Sequence, residues 1–526
     1  MPAPAQTSPP AGQDATALYR ELLNPTLSVA DVHQVREIAI DREDLHIVIS
    51  DGTLGLIRAV DGRVTGAVFE GSGEILLVPP DRVERTSLAL FTGAGMLEQS
   101  FNSAYFRFFD DKLLEEFRAG FRKAEAENVP EFVGRWEEVL KTLAPSDALH
   151  VLRAMTNAQA PSSHFLHARL AGTQLGVFDV RFDANAPEQI SVGQSRVINN
   201  VMYYDTWMSF PMRSARTSNE VGSRLPRFDL SDYRMKVQAQ PPTDLTVRAE
   251  VTLTPRRAGQ RTFILELSRH LRVTEVRADG QPAVFIQNPA IGGSELARRG
   301  DDLVAVVFPA PLEKDRPVRL SMNYSGPVMF NVGGDLIYVG ARGTWYPNAG
   351  PAYSNYDLTF EYPDDWTLVA TGKQTASSTQ AGRRTTRFVS EKPLARAGFN
   401  LGKFESGGAT AGDVAIHAHA AANVERELAG PEARAGKHPL PAREVRRIAD
   451  QAAASVRFLS SQLDPFPYSN LEITQLPGLL SQSWPGLIYL SSTAFLEPDE
   501  RRAVGVRDPY VELLLSRLML AHETAH

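Results

Sequence analysis

Apolar and polar residues alternate with a period of two through the middle of the chain, and the period lengthens toward its end. In "DLTVRAEVTLTP", Leu245, Val247, Ala249, Val251 and Leu253 alternate with polar neighbours, as a strand with one buried face requires. "RTFILELS", "LVAVVFP" and "YDLTFEYP" repeat the signal, with turns expected at Asp279-Gly280 and Gly333-Gly334. Residues 229–422 therefore read as an antiparallel β-sandwich domain that closes near "VAIHAHAAA". Residues 423–442, with "ELAGPEARAGKHPLPA", have the Gly, Pro and charge content of a linker.

Beyond the linker, Val445, Ile448, Ala452, Val456 and Leu459 fall at helical spacing, which predicts an amphipathic helix. "NLEITQLPG" and "PGLIYLSS" predict two strands, and "RDPYVELLLSRLMLAHETAH" a last helix with Asp508 as N-cap and Pro509 at its first position. Residues 443–526 thus read as the beginning of an α/β domain.

On the other side, "DATALYRELLN" and "SVADVHQVREIAI" read as short helices, and "LHIVIS" and "EILLVPP" as strands with hairpin turns at Asp51-Gly52 and Asp61-Gly62. From Asp110 the pattern turns helical: Leu113, Leu114, Phe117 and Phe121 share a face, and "VPEFVGRWEEVLKTLAPSDALHVLRAM" continues it. Residues 40–228 read as an α+β domain of unassigned role, and 1–39 as a disordered tail with short helices. The expected fold class is multi-domain α+β.

Composition narrows the partners. A chain of 526 residues exceeds what one hydrophobic core organises. Its net charge of −7, with no Lys/Arg-rich run, argues against nucleic acid as a partner. The most apolar stretch, "VELLLSRLML", is short and carries Glu512 and Arg517, so no membrane span is expected in this chain. With no cysteine, only His, Asp and Glu remain as candidate metal ligands. Two readings of the first residues stand: a Pro/Ala/Ser-rich tail, or, at Ala3-Pro4-Ala5 before Gln6, the small-residue end of an export signal whose start is missing. Localisation stays open between an exported and a cytoplasmic protein.

The candidate chemistry lies in His522-Glu523-Thr524-Ala525-His526. Two histidines four residues apart on a helix share a face and can ligate one Zn²⁺, with a carboxylate beside them. Zinc acidifies a bound water, and Glu523 is the candidate general base that takes the proton during attack on a peptide carbonyl and returns it to the leaving amine. His417 and His419 share a strand face, and His164 and His167 are spaced as on one helical turn. Neither pair has an acidic cluster nearby in sequence, so both are read as surface or contact residues. No GxxxxGK[ST] or GxGxxG opens a helix, and "GQSRV" and "GLLSQSWPG" lack the order of a serine nucleophile elbow.

From about residue 229 onward the sequence resembles the membrane alanyl aminopeptidase family of gluzincin zinc metallopeptidases. The resemblance rests on "GTWYPNAGPAYSNYDLTFEYPDDWTLVATG", "AGFNLGKFE", "FLSSQLDPFPYSNLEITQLPG" and the HExxH motif. It implies a β-rich domain followed by the start of a thermolysin-like catalytic domain, with His522 and His526 as zinc ligands, Glu523 as general base and peptides as substrate. It also implies that the third ligand, a glutamate, and a tyrosine that stabilises the transition state lie beyond residue 526, so the chain by itself is expected to be inactive.

The family's Gly-x-Met-Glu-Asn strand, whose glutamate holds the substrate amine, is replaced here by "LSQSWPGLIYL". Ser483 falls at the glutamate position with Gln482 beside it, and neither supplies an anion for a free N-terminus. Gln482, Ser483, Trp484, Pro485 and Gly486 are the candidate substrate-binding residues, and strict aminopeptidase specificity is not expected. Trp484 and Tyr489 are read as packing residues before cleft residues. A different class of function stands beside this one: a catalytically dead, peptidase-like scaffold that binds a partner through its β-sandwich and N-terminal domain.

Overall fold

The computed structural model describes residues 15–123, 128–157, 164–217, 227–292, 294–340, 343–350, 352–428 and 439–526. The tail with Ala3-Pro4-Ala5, and part of the stretch read as a linker, lie outside them. The chain divides into two compact units: residues 1–229, 254–265 and 283–317 form the first, and residues 230–253, 266–282 and 318–526 the second. It is a multi-sheet α+β protein made mostly of strands.

The first unit is built on an eight-stranded sheet in which each strand pairs with the next in sequence, from Leu27–Arg42 to Val201–Phe210. The helix Val129–Thr156 lays Phe132, Trp136 and Leu140 against Val68 and Tyr105 of this sheet. The helix Asp111–Ala119 adds Leu113 and Phe117 to a core with Ile38, Phe106 and Phe108.

"SVADVHQVREIAI" is not helical: it lies within the strand Leu27–Arg42, paired antiparallel with Leu45–Ile57. The helix-like spacing of Val32, Val35 and Ile38 has a physical origin. The ladder is irregular between Leu27 and Val32, and Glu37 turns to φ 57°, so buried residues recur every three positions in a strand that is not straight. Asp51-Gly52 is likewise inside a strand. Gly52 faces Gly71 across the ladder, where a Cβ would run into the Glu70 carbonyl, so the glycine serves close backbone approach and no turn. Asp61-Gly62 does make the tight turn between Val60 and Arg63.

In the second unit, one sheet runs in the order Gln281–Pro282, Arg272–Ala278, Val318–Gly326, Asp244–Pro255, Phe228–Gln240, Tyr356–Pro363, Arg383–Val389 and Lys373–Gln380. It is not purely antiparallel, because Tyr356–Pro363 pairs parallel with Phe228–Gln240. A parallel neighbour requires a long crossover, and the chain between these strands supplies one. Phe360 of this sheet meets Phe399 of a four-stranded sheet at 4.8 Å between centroids, with Trp345 beside both.

The last sheet has the order Phe404–Ala411, Val414–Ala421, Asn470–Leu476, Leu487–Ser491 and Gln482–Trp484. Its three central strands are parallel and both edge strands antiparallel. The helix Val445–Gln462 covers one face, packing Ile448, Ala452 and Val456 with Ile416, Ile473 and Ile488. Each Ile or Val side chain removed from water contributes about 1.5–3 kcal/mol.

Candidate functional site

The last helix begins at Pro509, where the Asp508 carboxylate accepts the Tyr510 N–H at 2.8 Å. Three helical stretches follow without a break: Pro509–Leu513, Leu514–Leu518 wound as π-helix, and Met519–Ala525. Leu515, Met519 and Leu520 anchor it in the core of the last sheet. Anchoring by these residues directs Glu523 and Thr524 inward and leaves His522 and His526 exposed.

The two imidazoles lie on one side of the helix with their Nε2 atoms 3.1 Å apart. An ion at a zinc–nitrogen distance of ~2.0–2.1 Å from both would subtend an angle of about 100°, near tetrahedral, so this donor pair fits zinc. Among the described residues, no three His, Asp or Glu side chains are spread around a common metal position.

Glu523 turns toward the edge strand Gln482–Trp484, where the Ser483 hydroxyl donates to its carboxylate. The same hydroxyl lies 2.7 Å from the Glu523 main-chain carbonyl, a second acceptor for its one hydrogen. Ser483 is set there by a tight hairpin: Pro485 and Gly486, the latter at φ 73°, connect the strand to Leu487–Ser491, with Ser483 opposite Ile488.

Ser483, Trp484, Pro485, Gly486, Glu523 and His526 line a cavity of about 200 Å³, together with Phe466, Pro467 and Tyr468. Of the residues singled out in the sequence, Gln482 stands apart: it pairs with Tyr489 in the ladder and does not line the cavity. His522 is likewise outside the lining. Tyr489 is fully buried and packs edge-on against Trp484, with ring centroids 5.2 Å apart. From the stretch "DPFPY", Asp464, Phe466, Pro467 and Tyr468 line the cavity as well, which sequence reasoning did not assign to the site.

The other two histidine pairs have carboxylate partners that sequence distance hid. His164 and His167 are not on a helix, since Phe165–Gly172 is a strand. His167 is buried between Asp147 and Asp179. His417 and His419 flank Glu472 of the neighbouring strand.

No protein-family model matches this sequence, and no curated protein matches it. Among solved structures, the chain is similar to an M1 zinc metallopeptidase from Deinococcus radiodurans, with 20% identity over 53% of this chain and 63% of that one and a TM-score of 0.39. A mutant of the M1 zinc metallopeptidase of Deinococcus radiodurans bound to a Tyr-Ser-Ala substrate gives 19% identity over 56% and 64%, with a TM-score of 0.39. A two-domain M1 zinc metallopeptidase mutant bound to L-arginine gives 20% over 57% and 65%, at 0.39. The chain spans less than two thirds of the length of each.

Proposed function

We propose that the chain carries the zinc-binding helix of a gluzincin-type metallopeptidase that hydrolyses peptide bonds, within a thermolysin-like α/β domain that follows a β-sandwich. The observation that carries this reading is the Nε2 pair of His522 and His526, 3.1 Å apart, on the helix that points Glu523 into a cavity. Zinc bound there supplies an acidified water and a Lewis acid for the scissile carbonyl. Glu523 takes the proton of the attacking water and delivers it to the departing amine.

Ser483 holds one edge of that carboxylate, leaving the rest of the group for proton transfer. An extended peptide lies beside the edge strand Gln482–Trp484, with Trp484, Pro485 and Gly486 bounding its side-chain space. Ser483 and Gln482 bring no charge to an α-amine, so a free N-terminus is not required of the substrate.

The test is metal analysis and peptide turnover of the protein as it occurs in the cell. His522→Ala is expected to lose one equivalent of zinc. Glu523→Gln is expected to keep that zinc and lose ~10²–10⁴-fold in turnover. A protein whose zinc content does not respond to His522→Ala overturns the reading.

A second reading, a peptidase-like scaffold without catalysis, is favoured by one observation: Glu523 is already engaged by Ser483. It requires that turnover be absent in the unmodified protein, with zinc still bound.

A further inference from the structure

A second cavity, of about 590 Å³, lies in the second unit and shares no lining residue with the one beside Glu523. Pro241, Pro242 and Pro363 line it with the half-buried indole of Trp366, which gives it rigid apolar surface. Gly333 and Gly334, in the turn between the strands Phe330–Gly333 and Leu336–Tyr338, add backbone without side chains.

This turn is held in place by its main chain. The Arg426 N–H donates to the Val332 carbonyl at 2.9 Å, and the Lys403 N–H donates to the Asp335 carbonyl at 3.0 Å. Gly334 stands at φ 63°, and a Cβ there would lie 2.7 Å from the Val424 carbonyl oxygen. Glycine is what lets the turn approach the segment that carries Arg426.

Most polar groups around the cavity are already engaged. Asp365 pairs with Lys403 at 3.1 Å, and the same ammonium lies 5.9 Å from the centre of the Trp366 ring. Asn331 Oδ1 accepts the Gly333 N–H at 2.9 Å. The Asp335 carboxylate and the Arg426 guanidinium differ. Both line the cavity and are exposed, and among the described residues neither side chain has an ion pair or a hydrogen bond, with each other or with any other group.

We propose that this cavity binds a small zwitterion of the α-amino acid type, a free apolar amino acid or a dipeptide. Its carboxylate pairs with Arg426, its ammonium pairs with Asp335, and its side chain packs on Trp366 and the prolines. The match of charges selects this class. A neutral sugar or the interior of a peptide chain would leave both ionic groups without a counter-charge, and a phosphate ester would satisfy Arg426 while facing Asp335. Because both charged residues are anchored at their main chain, little ordering is needed when the ligand enters. The site requires neither zinc nor Glu523.

The experiment is isothermal titration calorimetry of the chain with L-phenylalanine, with alanyl-phenylalanine, and with that dipeptide acetylated at its N-terminus or amidated at its C-terminus. One zwitterion is expected to bind per chain, and each cap is expected to weaken the dipeptide about tenfold or more, as loss of a charge-assisted bond does. Which of the two free ligands binds tighter identifies its source.

The variants assign the charges. In Arg426→Gln, amidation should no longer matter, and in Asp335→Asn, acetylation should no longer matter. Both side chains are exposed and unpaired, and asparagine tolerates the φ of 59° at position 335, so both variants are expected to fold, which thermal melting checks. The proposal is overturned if neither free ligand gives saturable binding up to about 10 mM. It is equally overturned if both cap penalties persist unchanged in the two variants. Neither readout involves zinc or turnover, so failure of the peptidase reading leaves this test intact.

Discussion

Ser483 donates its hydroxyl hydrogen to the carboxylate of Glu523, tying the edge strand of the last sheet to the helix that carries His522 and His526. A hydrogen bond to a charged group contributes about 1.5–3 kcal/mol, enough to fix the orientation of the carboxylate that the proposed function makes the general base. Ser483→Ala is therefore expected to lower kcat by about tenfold with KM and zinc content little changed, and Ser483→Thr to restore most of it. Steady-state kinetics decide the role. A rise in KM at constant kcat would make Ser483 a substrate contact and no positioning residue.

The strand Gln482–Trp484 carries no acidic residue, so in the proposed hydrolysis it offers no anion to a substrate's amine. Peptides with free and with acetylated N-termini should accordingly be cleaved with kcat/KM values within about threefold of each other, since no charge-assisted bond separates them. A preference of a hundredfold for the free amine would require an acidic partner outside the Gln482–Trp484 strand.

His167 is the centre of a buried charge cluster in the first unit. It is bonded to Asp147 at 2.8 Å and to Asp179 at 3.0 Å, with Tyr105 donating to Asp147 and Arg169 to Asp179. Burial most of all, and Arg181 with it, opposes the imidazolium, but the Asp147 charge and the hydrogen bonds to Asp147 and Asp179 together hold the His167 pKa above its ordinary value. Burial likewise opposes both carboxylates, and the His167 contact holds each below the ordinary carboxylate range.

The raised imidazole stabilises fully below ~6.5, and that contribution is lost as pH climbs through the folded value. The depressed carboxylates stabilise above ~3.9, and theirs is lost as pH falls through their folded values. Thermal melting should show greatest stability of the first unit between about pH 4 and 6.5, declining on both sides. His167→Gln leaves two buried carboxylates poorly compensated and should cost about 3–5 kcal/mol by denaturant unfolding, with a flatter alkaline limb. A melting temperature unchanged from pH 6 to pH 9 would contradict the assignment.

Gly398 packs under the site. A Cβ there would overlap the Trp484 ring and the Tyr489 hydroxyl, and Tyr489 is held in the core beside Leu487. Gly398→Ala is expected to cost about 1–3 kcal/mol and to change the near-UV circular dichroism of Trp484. Gly134, exposed in the helix Val129–Thr156 with open space around its Cβ position, provides the contrast. Gly134→Ala should stabilise by about 0.5–1 kcal/mol, and the pair is read in one series of urea melts.

Periodicity was sufficient where one element buries one face. Val445, Ile448, Ala452 and Val456 announced the helix that covers the last sheet, and Leu245 to Leu253 announced their strand. Asp508 and Pro509 marked the start of the last helix because capping is chemistry of adjacent residues. The spacing of His522 and His526 placed two imidazoles on one side for the same local reason.

Long-range pairing was not legible. Val32, Val35 and Ile38 mimic a helix because irregularities in a strand move buried residues from every second to every third position, and only the pairing with Leu45–Ile57 decides between the two. Glu472 lies 53 residues from His419 and Ser483 lies 40 from Glu523, yet both pairs are within hydrogen-bond reach. The sequence by itself determined which residue types and which local geometry the chemistry has available. Tertiary structure decided which carboxylate meets which imidazole or hydroxyl, because sheet register and helix docking bring together groups whose separation along the chain carries no trace of the contact.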